Sequence, residues 1–220
     1  MWLGPAPWAP YTTVRCERGW KFIYDYSLGC VSGAWGIHDV DYAQWANDAD
    51  GTCPVEVEGT GALPRDGLYT TFMTWEVEHR YANGVRLIHM DSRTAAKRIP
   101  QFKQGWRGAL LVGDDGWVVV SRQGMEAHPM SLLRATFSPN EIRLPVSNDH
   151  RRNFLDAVRF GRKTISPIDA AVHADMTCHQ ADIAMRLKRK LRWDTRAERF
   201  ADDEQANRML SRSMRSPWRL

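Results

Sequence analysis

The sequence has few cysteines and no long apolar segment. None of the four cysteines forms a CxxC pair, so a zinc ribbon or a thioredoxin-like site is not indicated. No run of about 18 apolar residues occurs, and the first residues carry neither a basic nor an apolar leader. We therefore expect no membrane span and no signal peptide, and predict a cytoplasmic protein with reduced thiols.

Several ligand-binding signatures are also missing. No GxGxxG opens a helix after a strand, and Gly59-Thr60-Gly61 leads into Leu63-Pro64 rather than into a helix. Ser32 lacks the GxSxG context of a hydrolase nucleophile. Cys178 and His179 are adjacent, so on a helix they would point in different directions, which argues against a metal site. The chain alone is predicted to bind neither a dinucleotide nor a metal.

The composition is that of a globular protein. Of the 220 residues, 43% are apolar and 25% charged, which suffices for a core, and ten are tryptophan, a residue that often lines cores, interfaces and sugar-binding clefts. The net charge is only +4, and the arginines concentrated beyond residue 185 alternate with acids. This pattern favours salt-bridged helix faces or subunit contacts over a nucleic-acid interface.

The order of patterns predicts an α+β domain over residues 1–220. Prolines and aromatics fill residues 1–20, so residues 1–28 are interpreted as an extended N-terminal strap. A short helix is predicted from near His38 to before Asn47. Residues 53–122 indicate consecutive hairpins, with Asn83-Gly84 as the strongest turn signal and residues 92–106 as a connector.

The last part, residues 129–220, is predicted to be mainly helical, with one possible strand at 141–144. Helices are expected from a cap at 147–149 to about residue 159, from Ser166-Pro167 onward, and over 203–210. The expected architecture is an open, mostly antiparallel sheet with helices packed on one face. A broad face of that sheet, rich in Trp and Val, is expected to be exposed in a monomer and to pair with another copy.

The segment 29–41, which reads GCVSGAWGIHDVD, is the most informative for chemistry. Its glycines allow close approach of the backbone to another group, and His38 stands at the start of a helix. A neutral imidazole is the usual side chain for proton transfer near neutral pH. On the residue types alone, an acid/base role for His38 and a structural hydrogen bond to a neighbouring loop are equally supported.

Other candidates carry weaker signals. Trp8, Tyr11 and Trp35 could stack on a sugar ring, although packing explains each of them as well. Arg15 could bind a hydroxyl or a carboxylate, or be an ordinary surface arginine. By residue type, His179 fits a structural histidine on an apolar helix face.

The segment 29–41 resembles a motif of the Gfo/Idh/MocA oxidoreductases, G-G-x-x-x-D-x-G-x-H-x-x-D, in Trp35-Gly36-Ile37-His38 and Asp41. The likeness spans essentially the whole chain, from the opening WLGPAPW to the closing MRSPW, and includes the segments NFLDAV, CHQADIA and LRWD. The chain is similar to the C-terminal α/β domain of a bacterial subgroup of this family. One departure is clear, because Ala34 stands where the family has Asp.

The resemblance implies a substrate-binding and oligomerisation domain of an NAD- or NADP-dependent sugar or polyol oxidoreductase, inactive without an N-terminal Rossmann domain. It assigns the acid/base role to His38 and brings His179 to the substrate cleft, with Trp8, Tyr11, Arg15 and Trp35 as further substrate contacts. A homodimer or tetramer through the open sheet face is implied, without nucleic acid or membrane. The alternative is a stand-alone, non-catalytic carbohydrate-binding or assembly subunit.

Overall fold

The computed structural model describes residues 2–102, 107–141 and 145–219. Its α-helices are α1 (Thr13–Cys16), α2 (Gly36–Ala46), α3 (Ser92–Arg98), α4 (His150–Phe160), α5 (Ile168–Leu187) and α6 (Glu204–Asn207), and its 3-10 helices are Arg18–Phe22, Gly29–Val31, Met130–Arg134 and Arg208–Leu210. Its strands are β1 (Glu56–Ala62), β2 (Thr74–Arg80), β3 (Arg86–Met90), β4 (Gly108–Gly113), β5 (Gly116–Ser121), β6 (Gly124–His128), β7 (Leu191–Asp194) and β8 (Arg199–Phe200).

The strands form two antiparallel sheets. The larger has the order β3-β2-β1-β7-β8 and the smaller the order β4-β5-β6. The predicted α+β class with an open antiparallel sheet is confirmed. The Asn83-Gly84 hairpin is also confirmed, since it joins β2 to β3 and Gly84 has a φ of +89°, a conformation that favours glycine.

The core lies between the larger sheet and α5. Val57, Trp75 and Val77 point inward from β1 and β2 and pack with Ile183 and Met185 of α5, and all five side chains are almost fully buried. Earlier in α5, small buried residues allow α2 to approach closely: Ala170, Ala174, Cys178 and Ala181. Burial of this apolar surface, at about 25 cal/mol per Å², holds α5 on the larger sheet and α2 on α5.

The outward face of the larger sheet is charged rather than rich in Trp and Val, and the pairing of copies through an open sheet face stays a prediction. Alternation in β2 turns Trp75 and Val77 inward and leaves Glu76 and Glu78 outside. Glu78 pairs with Arg86 at 2.6 Å and with Arg80 at 2.7 Å. These ion pairs replace the apolar surface that was expected to drive pairing of copies through this face.

Two segments predicted to be irregular contain short helices. Within the strap, which was expected to be extended, α1 begins at Thr13 because the prolines end at Pro10 and the Thr12 side chain accepts a hydrogen bond from the amide of Arg15. In the connector over residues 92–106, α3 forms because the Asp91 carboxylate caps it, accepting from the amides of Arg93 and Thr94.

The helical tail was predicted in its main features. Asp149 caps α4, Pro167 precedes α5, and α6 with the following 3-10 helix spans 204–210. The hairpin of β7 and β8 was not predicted, and it exists because Trp193 and Phe200 pack edge-to-face at 4.9 Å in the core. The possible strand at 141–144 falls largely outside the described residues. Within the described ranges, the helices are too short or too polar to cross a membrane.

Candidate functional site

The first turn of α2 is built by a tight chain reversal. After the 3-10 helix Gly29–Val31, the amide of Ala34 donates to the carbonyl of Gly29, and the amide of Ile37 donates to that of Ser32. A Cβ placed on Gly36 would lie 2.0 Å from the carbonyl oxygen of Val31. Only glycine fits there, and this close approach places His38 in the first turn of the helix.

His38 lines a small cleft at the start of α2. The cleft has a volume of about 250 Å³ and lies between α2 and one end of the smaller sheet. Its lining comprises Trp35, His38, Asp39, Tyr42, Arg107, Arg122 and Gln123. An imidazole, a carboxyl, a phenol and an amide therefore share one open concavity with two guanidinium groups.

The two arginines come from adjacent strand ends. Gly108 of β4 pairs with Ser121 of β5, so Arg107 and Arg122 extend the same antiparallel pair at the end facing α2. Their guanidinium carbons lie 4.2 Å and 5.3 Å from the centre of the Trp35 ring. Such distances are typical of cation–π contacts, so the indole holds both groups at the cleft.

The carboxyl of Asp39 is perturbed by its position in the cleft. Burial raises its pKa to about 6, although Arg107 and Arg122 attract the charged form and oppose the rise. The pKa of Asp41, one turn from His38, is also raised, by burial and by the charge of Asp50, against the attraction of His38. Asp39 can therefore gain or lose a proton near neutral pH.

A second carboxylate fastens α5 to the turn that precedes α2. Asp175 accepts a short hydrogen bond from the Ser32 hydroxyl, and its other oxygen lies 3.4 Å from Nε2 of His179. Burial raises the pKa of Asp175, but the hydrogen bonds from His179 and Ser32 outweigh that effect and lower it. His179 is thus oriented by Asp175 and remains about 44% exposed.

The structure separates the predicted site residues into groups. Trp35 and His38 share the cleft, whereas Arg15 lines a larger cavity of about 780 Å³ formed by the first residues, the segment around Tyr24 and the C-terminal segment from Arg208. Trp8 and Tyr11 are 73% and 78% exposed and line neither cavity. His179 lies beside the turn that leads to the cleft.

Sequence reasoning missed most of the cleft. Of its lining residues, only Trp35 and His38 were proposed as site residues from the sequence. The others were not: Asp39, Tyr42, Arg107, Arg122 and Gln123. Arg122 and Gln123 form the turn between β5 and β6, in which the Ser121 hydroxyl accepts from the amide of Gln123. The sequence pattern indicated strands and turns in this region. It gave no sign that Arg122 contacts Trp35, which lies more than 80 positions earlier in the chain.

The sheets of the described residues differ from the sheet of a Rossmann dinucleotide-binding fold. That fold needs parallel strands and a glycine-rich turn that runs from a strand into a helix. Among residues 2–102, 107–141 and 145–219, every paired strand is antiparallel, and the glycine-rich turn before α2 follows a 3-10 helix. The side chains that line the cleft can transfer protons and form hydrogen bonds.

Family comparison agrees with this architecture. Residues 1–129 and 134–220 match the C-terminal alpha/beta domain of an oxidoreductase family. The chain therefore belongs to the Gfo/Idh/MocA oxidoreductases, as a C-terminal α/β domain. No match was found among curated proteins.

Similar solved structures include an NAD-binding protein from Listeria innocua, with 11% identity over 86% of this chain and 52% of that one, and a TM-score of 0.54. UDP-N-acetylglucosamine 3-dehydrogenase from Acidithiobacillus ferrooxidans matches at 15% identity, 82% and 53% coverage, and a TM-score of 0.47. Aldose-aldose oxidoreductase from Caulobacter crescentus matches at 14% identity, 80% and 51% coverage, and a TM-score of 0.48. The chain spans about half the length of these proteins, and the likeness to the Listeria innocua protein shows a shared fold.

Proposed function

We propose that this chain is the substrate-binding domain of an NAD- or NADP-dependent oxidoreductase that acts on a sugar or polyol, and that the cleft at the start of α2 is its substrate site. The observation that carries the proposal is the position of His38, which is exposed in the first turn of α2 and shares the cleft with Asp39 and Tyr42. Membership of the oxidoreductase family supports the reaction class.

His38 is the acid/base of this proposal. Oxidation of a carbinol requires removal of the hydroxyl proton, and a histidine at the edge of a small cleft can accept it and release it to water. Asp39 and Tyr42 line the same cleft and can hydrogen-bond other hydroxyls of the substrate. The nicotinamide, held by another domain, would supply the hydride chemistry.

Ala34 occupies the place of the carboxylate that the family motif has four residues before the histidine. Apart from Asp41, which belongs to the motif itself, two carboxyls lie near the turn, Asp39 in the cleft and Asp175 behind Ser32. Asp39 is the better replacement in proton handling, because it faces the cleft itself and its pKa is raised to about 6. Asp175 is committed to Ser32 and His179, so it positions the turn instead.

Calorimetric titration of the 220-residue chain tests this function. We expect polyols or sugars to bind, and His38→Gln to weaken that binding, while NAD, NADH and NADPH do not bind tightly. His128→Gln is the matched control, because His128 is also exposed and does not line the cleft. Micromolar binding of a dinucleotide by this chain would contradict the proposal.

A stand-alone, non-catalytic carbohydrate-binding or assembly subunit is the second candidate, and Ala34 is the observation that favours it. The coding region upstream of Met1 discriminates between the two. A continuous reading frame with GxGxxG and a Lys-Pro motif would support the enzyme. A stop codon shortly before Met1 would support the separate subunit.

Self-association is also part of the proposal. A second copy would meet the outward face of the larger sheet, where Glu78, Arg80 and Arg86 form ion pairs. A charged face of this kind predicts an association that weakens as salt increases. Light scattering at 50 mM and 500 mM NaCl would detect it, and a monomer at both concentrations would contradict it.

A further inference from the structure

We propose that the cleft at the start of α2 selects a sugar or polyol that bears an anionic group, and that Arg107 and Arg122 together bind that group. This inference rests on the proposed function, because it takes the cleft to be the substrate site. It adds the chemical class of the substrate and assigns a role to two arginines that no motif identified.

The first argument is that neither guanidinium group has an anionic partner within ion-pair distance. Within the described ranges, neither Arg107 nor Arg122 forms a hydrogen bond or an ion pair within 4.0 Å, both contact the Trp35 ring, and Asp39 attracts them only from a longer distance. Some arginines elsewhere do have acidic partners, such as Arg186 with Asp182 at 2.7 Å and Arg189 with Asp203 at 2.8 Å. Two adjacent, unpaired guanidiniums in a concavity are a receptor for a carboxylate or phosphate.

The second argument is that the arginines are held in place. Trp35 supports both groups, and the pairing of Gly108 with Ser121 fixes their backbones on neighbouring strand ends. Gly108 has a φ of +150°, and a Cβ on it would lie 1.9 Å from the carbonyl oxygen of Val120, so the strands meet closely there. Groups held before a ligand arrives lose less conformational entropy on binding it.

The third argument is the balance of charge in the cleft. Asp39 is the one carboxyl among the described lining residues, against two guanidinium groups. Ionised Asp39 attracts both arginines but balances only one of their two charges, so one positive charge remains for a ligand. A neutral sugar would need only the hydrogen-bonding groups of His38, Tyr42 and Gln123. The excess positive charge therefore favours an anionic sugar.

Calorimetry with three probes tests the substrate class: D-glucose, D-glucuronate and D-glucose 6-phosphate, each titrated into the 220-residue chain at pH 7.5. We expect at least one of the two anionic probes to bind about tenfold or more tightly than glucose, with an affinity that falls as NaCl is raised. Preference for glucuronate would identify a carboxylate substrate, and preference for glucose 6-phosphate a phosphate ester.

Arg107→Gln and Arg122→Gln are each expected to lower the affinity for the preferred anionic probe about tenfold more than they lower the affinity for glucose. Arg65→Gln is the control, since it removes the same charge from an exposed loop residue that does not line the cleft. A thermal melt of each variant verifies that it is folded.

Equal binding of glucose and both anionic probes, or anionic binding that survives both arginine substitutions, would overturn this inference and leave the proposed function standing. Absence of binding by all three probes would overturn the inference and contradict the proposed function as well.

Discussion

The cleft at α2 and the core beneath β2 and β3 both hold titratable groups far from their ordinary pKa, yet only the cleft can reach a ligand. In the core, His79 and His89 stack at 6.3 Å and are almost fully buried. Burial, with the neighbouring His89, lowers the pKa of His79 to about 3, and burial lowers that of His89 to about 4. These pKa shifts are larger than that of Asp39, and they result from burial of the two histidines in the core.

Asp39 has a smaller shift in an open cleft, beside His38 and two arginines. A perturbed pKa therefore indicates a functional site only where the group is also accessible and surrounded by convergent polar side chains. Substitutions that affect one region and spare the other test this distinction.

Gly36→Ala should have the largest effect, because it disturbs the turn that precedes α2 and positions the cleft. The new Cβ would overlap the Val31 carbonyl, and the backbone must shift to relieve the contact. We expect a loss of about 3 kcal/mol in the free energy of unfolding, measured by urea denaturation. Gly51→Ala is the control, because a Cβ there meets nothing within 4 Å. Equal stability of the two variants would refute the close approach that positions His38.

His79→Leu should change the acid sensitivity of the core. The unfolded chain protonates His79 near its ordinary pKa of 6.5, whereas the folded protein does so only near pH 3, so stability is lost as the pH falls below 6.5. Between pH 7.5 and 5, the variant should lose about 2 kcal/mol less than the wild type. His128→Gln, at an exposed histidine, is the control. Parallel curves for wild type and His79→Leu would show that His79 is accessible to protons.

Asp39→Asn should have the smallest effect on stability. Its pH dependence is opposite to that of His79, because ionised Asp39 destabilises the fold at high pH rather than at low pH. In the folded protein the Asp39 carboxyl stays protonated up to about pH 6, because its pKa is raised. Ionised Asp39 therefore lowers the free energy of unfolding above pH 6, and this loss disappears below about pH 4, where the carboxyl is protonated in both the folded and the unfolded chain. Allowing for solvent screening of a partly exposed group, we expect the variant to be about 1 kcal/mol more stable at pH 7.5. Asp66→Asn, in an exposed loop, is the control. An unchanged melting temperature at pH 7.5 would show that Asp39 is hydrated like a surface carboxylate.

Short sequence motifs predicted those turns and helix caps that depend only on neighbouring residues. The Asn83-Gly84 turn, the cap at Asp149 and the glycines before α2 each depend on a few neighbouring residues. The caps at Thr12 and Asp91 were equally local, but proline-rich and polar surroundings obscured them. The charged outward face of the larger sheet depends on which face of the sheet α5 covers. A local sequence pattern does not indicate which face that is.

The same division applies to the site. His38 was identified by its glycines and by the family motif, both of which are contiguous in sequence. Arg107 and Arg122 reach the cleft only because β4 and β5 pair and the end of that pair lies against α2. Contacts of this range depend on tertiary packing, and a single sequence without aligned relatives carries no trace of them.

The most direct test of the central claim is to map the site of sugar binding by NMR. In an amide-resolved titration of the ¹⁵N-labelled chain with the tightest-binding sugar probe, our account predicts the largest shifts in the first turn of α2 and in the turn at Arg122 and Gln123. Largest shifts around the larger cavity, at Leu3, Arg15 and Met214, would place the substrate site there instead and contradict the assignment of the α2 cleft.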